Sequence, residues 1–169
     1  MIDLDEIAAT LDTLPNTLRV LLAPFDDATL TARPEPGEWC VLEVVGHLIT
    51  CDTGAFSERV EAIVAGADQV PSFDAGRALD DLDPMNSTIG DLLDELTTVR
   101  ARSVDFVRSL TPDAITATAP YGAHGVFAAS DFLLEWPYHD QDHIRQILDA
   151  VQRHYLPHMT DTMRTALTG

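Results

Sequence analysis

The sequence predicts an all-α protein built as a four-helix bundle. Four segments carry apolar residues at the three-and-four spacing of a buried helix face, and two long connections separate them. No segment shows a convincing alternation of polar and apolar residues, so we predict no β-strand. The chain has 169 residues, the length of one domain, and we expect a single domain over residues 1–169.

The first helix is predicted to begin near Leu4 and to extend to about Phe25. Asp3 and Glu6 resemble a capping box, in which side chains satisfy the free amides of the first helical turn. Pro15 lies within this apolar pattern, and we expect a kink there because proline removes one helical hydrogen bond.

The second helix is predicted from about Trp39 to Ala65, with Gly66 just beyond its C-terminus. A loop of about twenty residues should follow, through Pro71 and Pro84, and connections of that length are uncommon and either cover a site or are mobile. This loop is expected to end where the third helix begins.

The third helix is predicted to begin near Asn86 or Ser87, which are good N-cap residues, and residues 113–129 are predicted to form a second loop. The fourth helix is expected from about Ser130 to Tyr155, interrupted in its first half by Pro137. Residues 157–169 are predicted to be a tail or a short extra turn. The predicted inward face of the fourth helix comprises Phe132, Leu133, Trp136, Ile147, Leu148 and Val151.

The charge of the chain is strongly acidic. It contains 28 acidic and 10 basic residues, all ten of them arginine, for a net charge of -18. Such a charge repels polyphosphate, so we expect no nucleic-acid partner and no binding to an anionic membrane. No apolar run approaches the ~18 residues of a transmembrane helix.

The N-terminus and the two cysteines favour a cytoplasmic location. The acidic start of the chain lacks the basic residues and apolar stretch of a secretory signal. Cys40 and Cys51 are eleven residues apart, which is about 16 Å along a helix, so they are too distant to form a disulfide with each other. Free thiols are typical of a reducing compartment.

Three of the six histidines form a candidate metal site. His139 and His143 are four residues apart, so on a helix both imidazoles can meet one metal ion. His47 lies on an apolar face of the second helix, and the three together match the ligand count of an open catalytic metal site. The alternative is that each is an ordinary core or surface histidine. We expect His154 and His158 to be structural or exposed, and the loop residue His124 to be solvated.

Two segments resemble a known family. Residues 36–48, PGEWCVLEVVGHL, are similar to the Trp-Ser-x-x-Glu-x-x-x-His-Leu segment of DinB/YfiT-like proteins. Residues 138–147, YHDQDHIRQI, resemble the second signature of these proteins, His-Asp-x-x-His-x-x-Gln-Ile. The two motifs occur in the family's order, about ninety residues apart, and the likeness extends over the whole chain by length and helix order.

The resemblance implies a fold, a metal and a range of activities. It implies an up-down-down-up bundle, commonly a homodimer, and a divalent metal held by three histidines, here His47, His139 and His143. Relatives of this kind include thiol-S-transferases that use bacillithiol or mycothiol, and the metal domain of a mycothiol-dependent maleylpyruvate isomerase. We therefore expect a small-molecule substrate and a low-molecular-weight thiol as cosubstrate.

The chemistry of such a site leaves several functions open. Zn²⁺ suits a neutral three-nitrogen site, and Ni²⁺ is the alternative. A metal-bound thiolate could transfer to an electrophile or isomerise a double bond, whereas metal-bound water could hydrolyse a substrate. The alternatives are a non-catalytic metal-binding dimer, acting in metal handling or stress, and a structural dimer with core histidines.

Other residues are candidate neighbours of the metal, Asp52 and Asp140 as the family resemblance implies and the rest by spacing. An acid one turn before a ligand histidine can accept its second N–H, although a solvated acid is the alternative. Cys51 lies one turn after His47 and is a candidate fourth ligand or a buried inert thiol. The candidates near the metal or substrate are Glu43, Asp52, Glu135, Asp140 and Gln146.

Overall fold

The computed structural model describes residues 3–168, in which eight α-helices and one small antiparallel sheet are found. Met1, Ile2 and Gly169 belong to the predicted domain and lie outside the described residues. The α-helices are α1 (Leu4–Leu22), α2 (Asp27–Thr31), α3 (Val41–Cys51), α4 (Glu58–Val64), α5 (Ala75–Leu82), α6 (Ile89–Ser109), α7 (Ala129–Gln152) and α8 (Asp161–Thr168). A π-helical turn, Asp52–Ser57, joins α3 to α4 and makes them one long bundle helix.

The two core clusters show in which direction each of the four bundle helices runs. These bundle helices are α1, α3–α4, α6 and α7. One core cluster joins the start of α1 and the start of α7 to the ends of α4 and α6. The other cluster joins the ends of α1 and α7 to the starts of α3 and α6. The second and third bundle helices therefore run antiparallel to the first and fourth, which confirms the predicted up-down-down-up four-helix bundle.

The parallel second and third helices need a connection that runs the length of the bundle. This crossover contains α5, where the sequence predicted only a loop, and Asp74 caps α5 by accepting a hydrogen bond from the Arg77 amide at 3.0 Å. The crossover packs closely on α3, since a Cβ on Gly46 would lie 3.0 Å from Pro84 Cβ. It therefore covers the helix that carries His47.

Several predicted helix ends are confirmed or corrected by capping contacts. Asp3 accepts hydrogen bonds from the amides of Asp5 and Glu6, as an N-cap does. Gly66 has φ of +82° directly after the C-cap of α4, as predicted. The third bundle helix begins later than predicted, because Thr88 and not Asn86 or Ser87 provides the cap.

The loop before α7 contains two strands that the sequence analysis did not predict. Strands β1 (Thr118–Pro120) and β2 (Val126–Ala128) pair antiparallel, with Ala119 opposite Phe127. Each has three residues, which is too short for an alternating pattern to be recognised. The prediction of no strand was therefore wrong.

The fourth bundle helix also differs in detail from the prediction. It continues through Pro137 without interruption. Leu148 was assigned to the inward face but is 42% exposed, because Ile147 and Val151 occupy that face and Leu148 lies about 100° around the helix from Ile147. The predicted C-terminal tail contains α8.

None of the helices in the described part of the chain combines the length and the apolar character that crossing a membrane requires.

Candidate metal centre

Three imidazole rings converge between the second and fourth bundle helices. His139 Nε2 lies 3.1 Å from His47 Nε2 and 3.1 Å from His143 Nε2. The ring centroids are 4.4 to 5.2 Å apart. His47 is buried, and His139 and His143 are partly buried. The structure thus brings together the three histidines that the sequence analysis selected.

The donor set fits a divalent metal ion. Two imidazole nitrogens bound tetrahedrally to one Zn²⁺ are roughly 3.3 Å apart, close to the observed spacing. Burial, with the nearby His143 and His139, lowers the pKa of His47 to about 3. Burial and His139 also lower the pKa of His143. His47 and His143 therefore favour the neutral form, whose lone pair a metal requires.

Gln146 and Trp39 contact the rings of the converging histidines. Gln146 Oε1 lies 2.8 Å from His143 Nδ1, and an amide oxygen only accepts, so Nδ1 carries the proton and Nε2 offers its lone pair to the site. The Trp39 ring lies 4.8 Å from the His47 ring and stacks on His143 at 6.5 Å. The position of Gln146 near the metal agrees with the prediction from sequence, whereas the contact of Trp39, a residue of the first motif, was not predicted.

Cys51 lies against the His47 ring. Its Sγ is 3.4 Å from Nε2 and 3.7 Å from Nδ1 of that ring. The donor atoms of His47, Cys51 and His139 lie within 4.8 Å of one another, so these residues could hold a metal ion together. Burial raises the pKa of the Cys51 thiol to about 12. Cys51 and Cys40 are both free, as expected.

A buried ion cluster lies beside the histidines and consists of Arg100, Asp52 and Asp140. Arg100 bonds Asp140 through two nitrogens, at 2.5 and 3.1 Å, and contacts Asp52 Oδ1 at 2.8 Å. Burial acts to raise the pKa of Asp140, but His139 and Arg100 outweigh it and hold that pKa below its ordinary value. Burial raises the pKa of Asp52, although Arg100 opposes the change.

Sequence reasoning missed Arg100. It lies in the apolar stripe of α6, four residues after Leu96 and seven before Val107, and an arginine at such a position is the signal that could have identified it. A buried arginine needs partners of opposite charge. Asp52 and Asp140, both selected as candidates by the family pattern, are those partners.

Comparison with known proteins identifies the family. A family model of the DinB superfamily matches residues 10–147, which include all three histidines and Gln146. The chain belongs to the DinB superfamily. No protein of curated function matches it.

Two solved structures share the fold of this DinB-superfamily chain. YfiT from Bacillus subtilis, described as a probable metal-dependent hydrolase with an unusual four-helix bundle topology, is 18% identical, with a TM-score of 0.79 over 91% of this chain and 90% of YfiT. The four-helix bundle protein TT2238 is 20% identical, with a TM-score of 0.62 over 86% of this chain and 98% of TT2238. At these identities the comparison establishes the fold alone.

The remaining candidates make other contacts in this DinB-superfamily structure. Glu43 accepts hydrogen bonds from the Cys40 amide at 2.9 Å and from Arg33 at 2.5 Å, so it caps α3. Glu135 is exposed on α7. For each acid the spacing left open a bond to a histidine or a solvated side chain. Glu135 is solvated, and the capping contact of Glu43 instead satisfies the start of its helix.

The other histidines lie away from the three converging rings. His154, His158 and His124 are exposed, as predicted. His154 Nδ1 lies 3.0 Å from Thr29 Oγ1, and the His124 ring packs near Tyr121. Their exposure leaves His47, His139 and His143 as the imidazoles that meet inside this DinB-superfamily bundle.

A surface pocket lies against Trp39 and Gln146. It has a volume of about 250 Å³, and its lining includes Trp39 and Gln146, the two residues that contact His143 from outside. Glu38 and Asp149 make part of the lining acidic. None of the three converging histidines lines this pocket, and Trp39 and Gln146 are the residues that connect it to His143.

Proposed function

We propose that this protein is a metal-dependent enzyme in which His47, His139 and His143 hold one divalent metal ion. The observation that carries the proposal is the convergence of three Nε2 atoms, with His139 Nε2 3.1 Å from each of the other two. Three neutral imidazoles leave a coordination position open and suit Zn²⁺, with Ni²⁺ as the alternative.

The nucleophile is proposed to come from outside the chain. Cys51 is the thiol nearest to the histidines, but it is 3% exposed, so a substrate cannot reach it. A bound divalent metal would lower the pKa of a coordinated thiol or water toward neutrality. The residues of the chain orient the site: Gln146 fixes the His143 tautomer, and Trp39 shields one side of the rings.

The proposed reaction is transfer of a low-molecular-weight thiol to a small electrophile. The sulfur forms a bond to the electrophilic carbon and the leaving group departs with the bonding electrons, or the thiol adds to and leaves a conjugated double bond, which isomerises it. The two motifs, similar to those of bacillithiol- and mycothiol-dependent enzymes, support this choice. Hydrolysis is the second candidate, favoured by the description of YfiT as a probable metal-dependent hydrolase.

The proposal also includes the location, the oligomeric state and the partners of the enzyme. We propose a cytoplasmic homodimer that acts on a small molecule and binds no nucleic acid. The two free, buried thiols support a reducing compartment. The net charge of -18 opposes binding to polyphosphate.

The test combines metal analysis with a thiol-dependence assay. The protein is purified without nickel resin, its metal content is measured, and the Zn²⁺-loaded form is assayed with a fluorogenic electrophile and mycothiol, bacillithiol or no thiol. Turnover that needs metal, thiol and His143 supports thiol transfer. Turnover of ester or amide substrates without thiol supports hydrolysis. Stoichiometric metal without turnover in either assay would contradict an enzymatic function.

A further inference from the structure

Arg100 joins four helices at the centre of the bundle. Its side chain is 2% exposed, and it extends from α6 to Asp140 on α7, to Asp52 at the start of the π-helical turn and to the Leu11 carbonyl on α1, the last at 3.4 Å. A planar guanidinium with five N–H donors can hold several acceptors in fixed directions. The relative positions of these helices therefore depend on one side chain.

Both carboxylates that Arg100 holds are adjacent in sequence to the candidate metal centre. Asp140 directly follows His139, and Asp52 directly follows Cys51 and lies five residues after His47. Asp52 is held further by the Trp136 indole N–H at 2.9 Å and the Ser103 hydroxyl at 2.8 Å. Asp52 is also the first residue of the π-helical turn, a feature often found at functional sites.

We propose that Arg100 is a positioning residue for the three-histidine site. By holding Asp52 on the second bundle helix and Asp140 on the fourth, it sets the distance and rotation at which His47 meets His139 and His143. The inference rests on the proposed metal site. A buried ion pair adds little net stability compared with apolar packing, so we assign this cluster the role of fixing one arrangement.

The test compares two buried arginines by conservative substitution. Arg100→Lys keeps the positive charge but loses the planar fork that reaches both carboxylates. Its dissociation constant for Zn²⁺, measured by chelator competition, should rise by about 10- to 100-fold, as is usual for residues that orient metal ligands. The d–d absorption bands of bound Co²⁺ should shift, because the ligand geometry changes.

Arg59→Lys is the matched control. Arg59 is also buried, but it bonds the Pro71 carbonyl and the Tyr121 hydroxyl. Its replacement should lower the melting temperature and leave the Zn²⁺ affinity and the Co²⁺ spectrum unchanged. Folded Arg100→Lys protein with wild-type Zn²⁺ affinity and Co²⁺ bands would overturn the proposal, because a merely structural role predicts that result.

A measurement on the wild-type protein decides the matter if Arg100→Lys does not fold. Coupling between metal and cluster is reciprocal, so Zn²⁺ should shift the NMR signals of the Arg100 guanidinium and the Trp136 indole N–H, and shift those of Arg59 much less. Unchanged Arg100 and Trp136 signals in Zn²⁺-loaded protein would overturn the positioning role alone. Wild-type protein that binds no metal would overturn the proposed function itself, which separates the two failures.

Discussion

His47 Nε2 lies 3.1 Å from His139 Nε2, although 92 residues separate them in the chain. The contact arises because the second and fourth bundle helices run in opposite directions and bring these residues to the same level. His143, one turn further along α7, completes the group. The predictions below test whether this group binds a metal and which neighbours hold it in place.

His143→Ala is expected to abolish stoichiometric metal binding, because it leaves two imidazoles and Cys51, whose thiol keeps its proton at neutral pH since burial raises its pKa to about 12. Metal content is measured by elemental analysis after purification without nickel resin. His154→Ala is the control, since His154 is exposed and bonds Thr29. Equal metal content in wild-type protein and His143→Ala would show that His143 is not a ligand.

Removal of the metal by a chelator is expected to lower the melting temperature. A ligand present at 100 times its dissociation constant stabilises the native state by about 2.7 kcal/mol. For a domain of this size that corresponds to about 5–10 °C. The chelator should have no such effect on His143→Ala. A melting temperature of wild-type protein that does not respond to chelator or added Zn²⁺ argues that the histidines are ordinary core residues.

Gln146→Leu is expected to weaken metal binding by about 10- to 100-fold, because the His143 ring loses the acceptor that orients it. Isothermal titration with Zn²⁺ measures the change. Gln141→Leu is the matched control on the same helix, since Gln141 is exposed. If both variants bind Zn²⁺ equally well, the bond from His143 to Gln146 has no part in holding the site.

Gly54→Ala is expected to destabilise the fold by about 1–3 kcal/mol, the usual cost of overpacking. A Cβ at Gly54 would lie 2.6 Å from Phe73 Cδ2, where the crossover packs on the π-helical turn. Adding Phe73→Leu should recover part of the loss, measured by urea unfolding.

The control for this packing prediction is Gly76→Ala. A Cβ at Gly76 would lie 3.6 Å from Asp74 Oδ1, an ordinary contact on an exposed helix position. Alanine there should leave the free energy of unfolding unchanged or raise it, because alanine favours helix. Gly54→Ala with wild-type stability would mean that the crossover does not pack closely on the turn.

Glu43→Gln is expected to reduce stability at neutral pH and to weaken its acid dependence. Burial acts to raise the pKa of Glu43, but hydrogen bonds from Cys40 and Arg33 hold it below its ordinary value of 4.5. The stabilisation is therefore present above that value and is lost as pH falls through the lowered pKa of the folded state.

The size of the Glu43 effect at neutral pH should be about 0.5–1 kcal/mol, because the partly exposed ion pair with Arg33 is removed. The free energy of unfolding is measured from about pH 7 to about pH 3. Glu38→Gln, in the exposed preceding loop, is the control. Parallel pH profiles for wild-type protein and Glu43→Gln would contradict the assigned role.

Local patterns predicted the features that depend on neighbouring residues. The cap at Asp3 and the glycine at Gly66 follow from the free amides and carbonyls at helix ends, and both are found in the structure. The placing of His139 and His143 on one face follows from the helical repeat alone. The same reasoning failed for Leu148, because apolar character does not show which of two adjacent residues faces the core.

The sequence by itself determined the four amphipathic helices, their order and the histidine pair on α7, since each depends on residues a few positions apart. Only the tertiary structure decided that His47 meets that pair and that Arg100 bonds both Asp52 and Asp140. These contacts join residues 40 to 92 positions apart. They depend on the direction and rotation of packed helices, which local spacing does not specify.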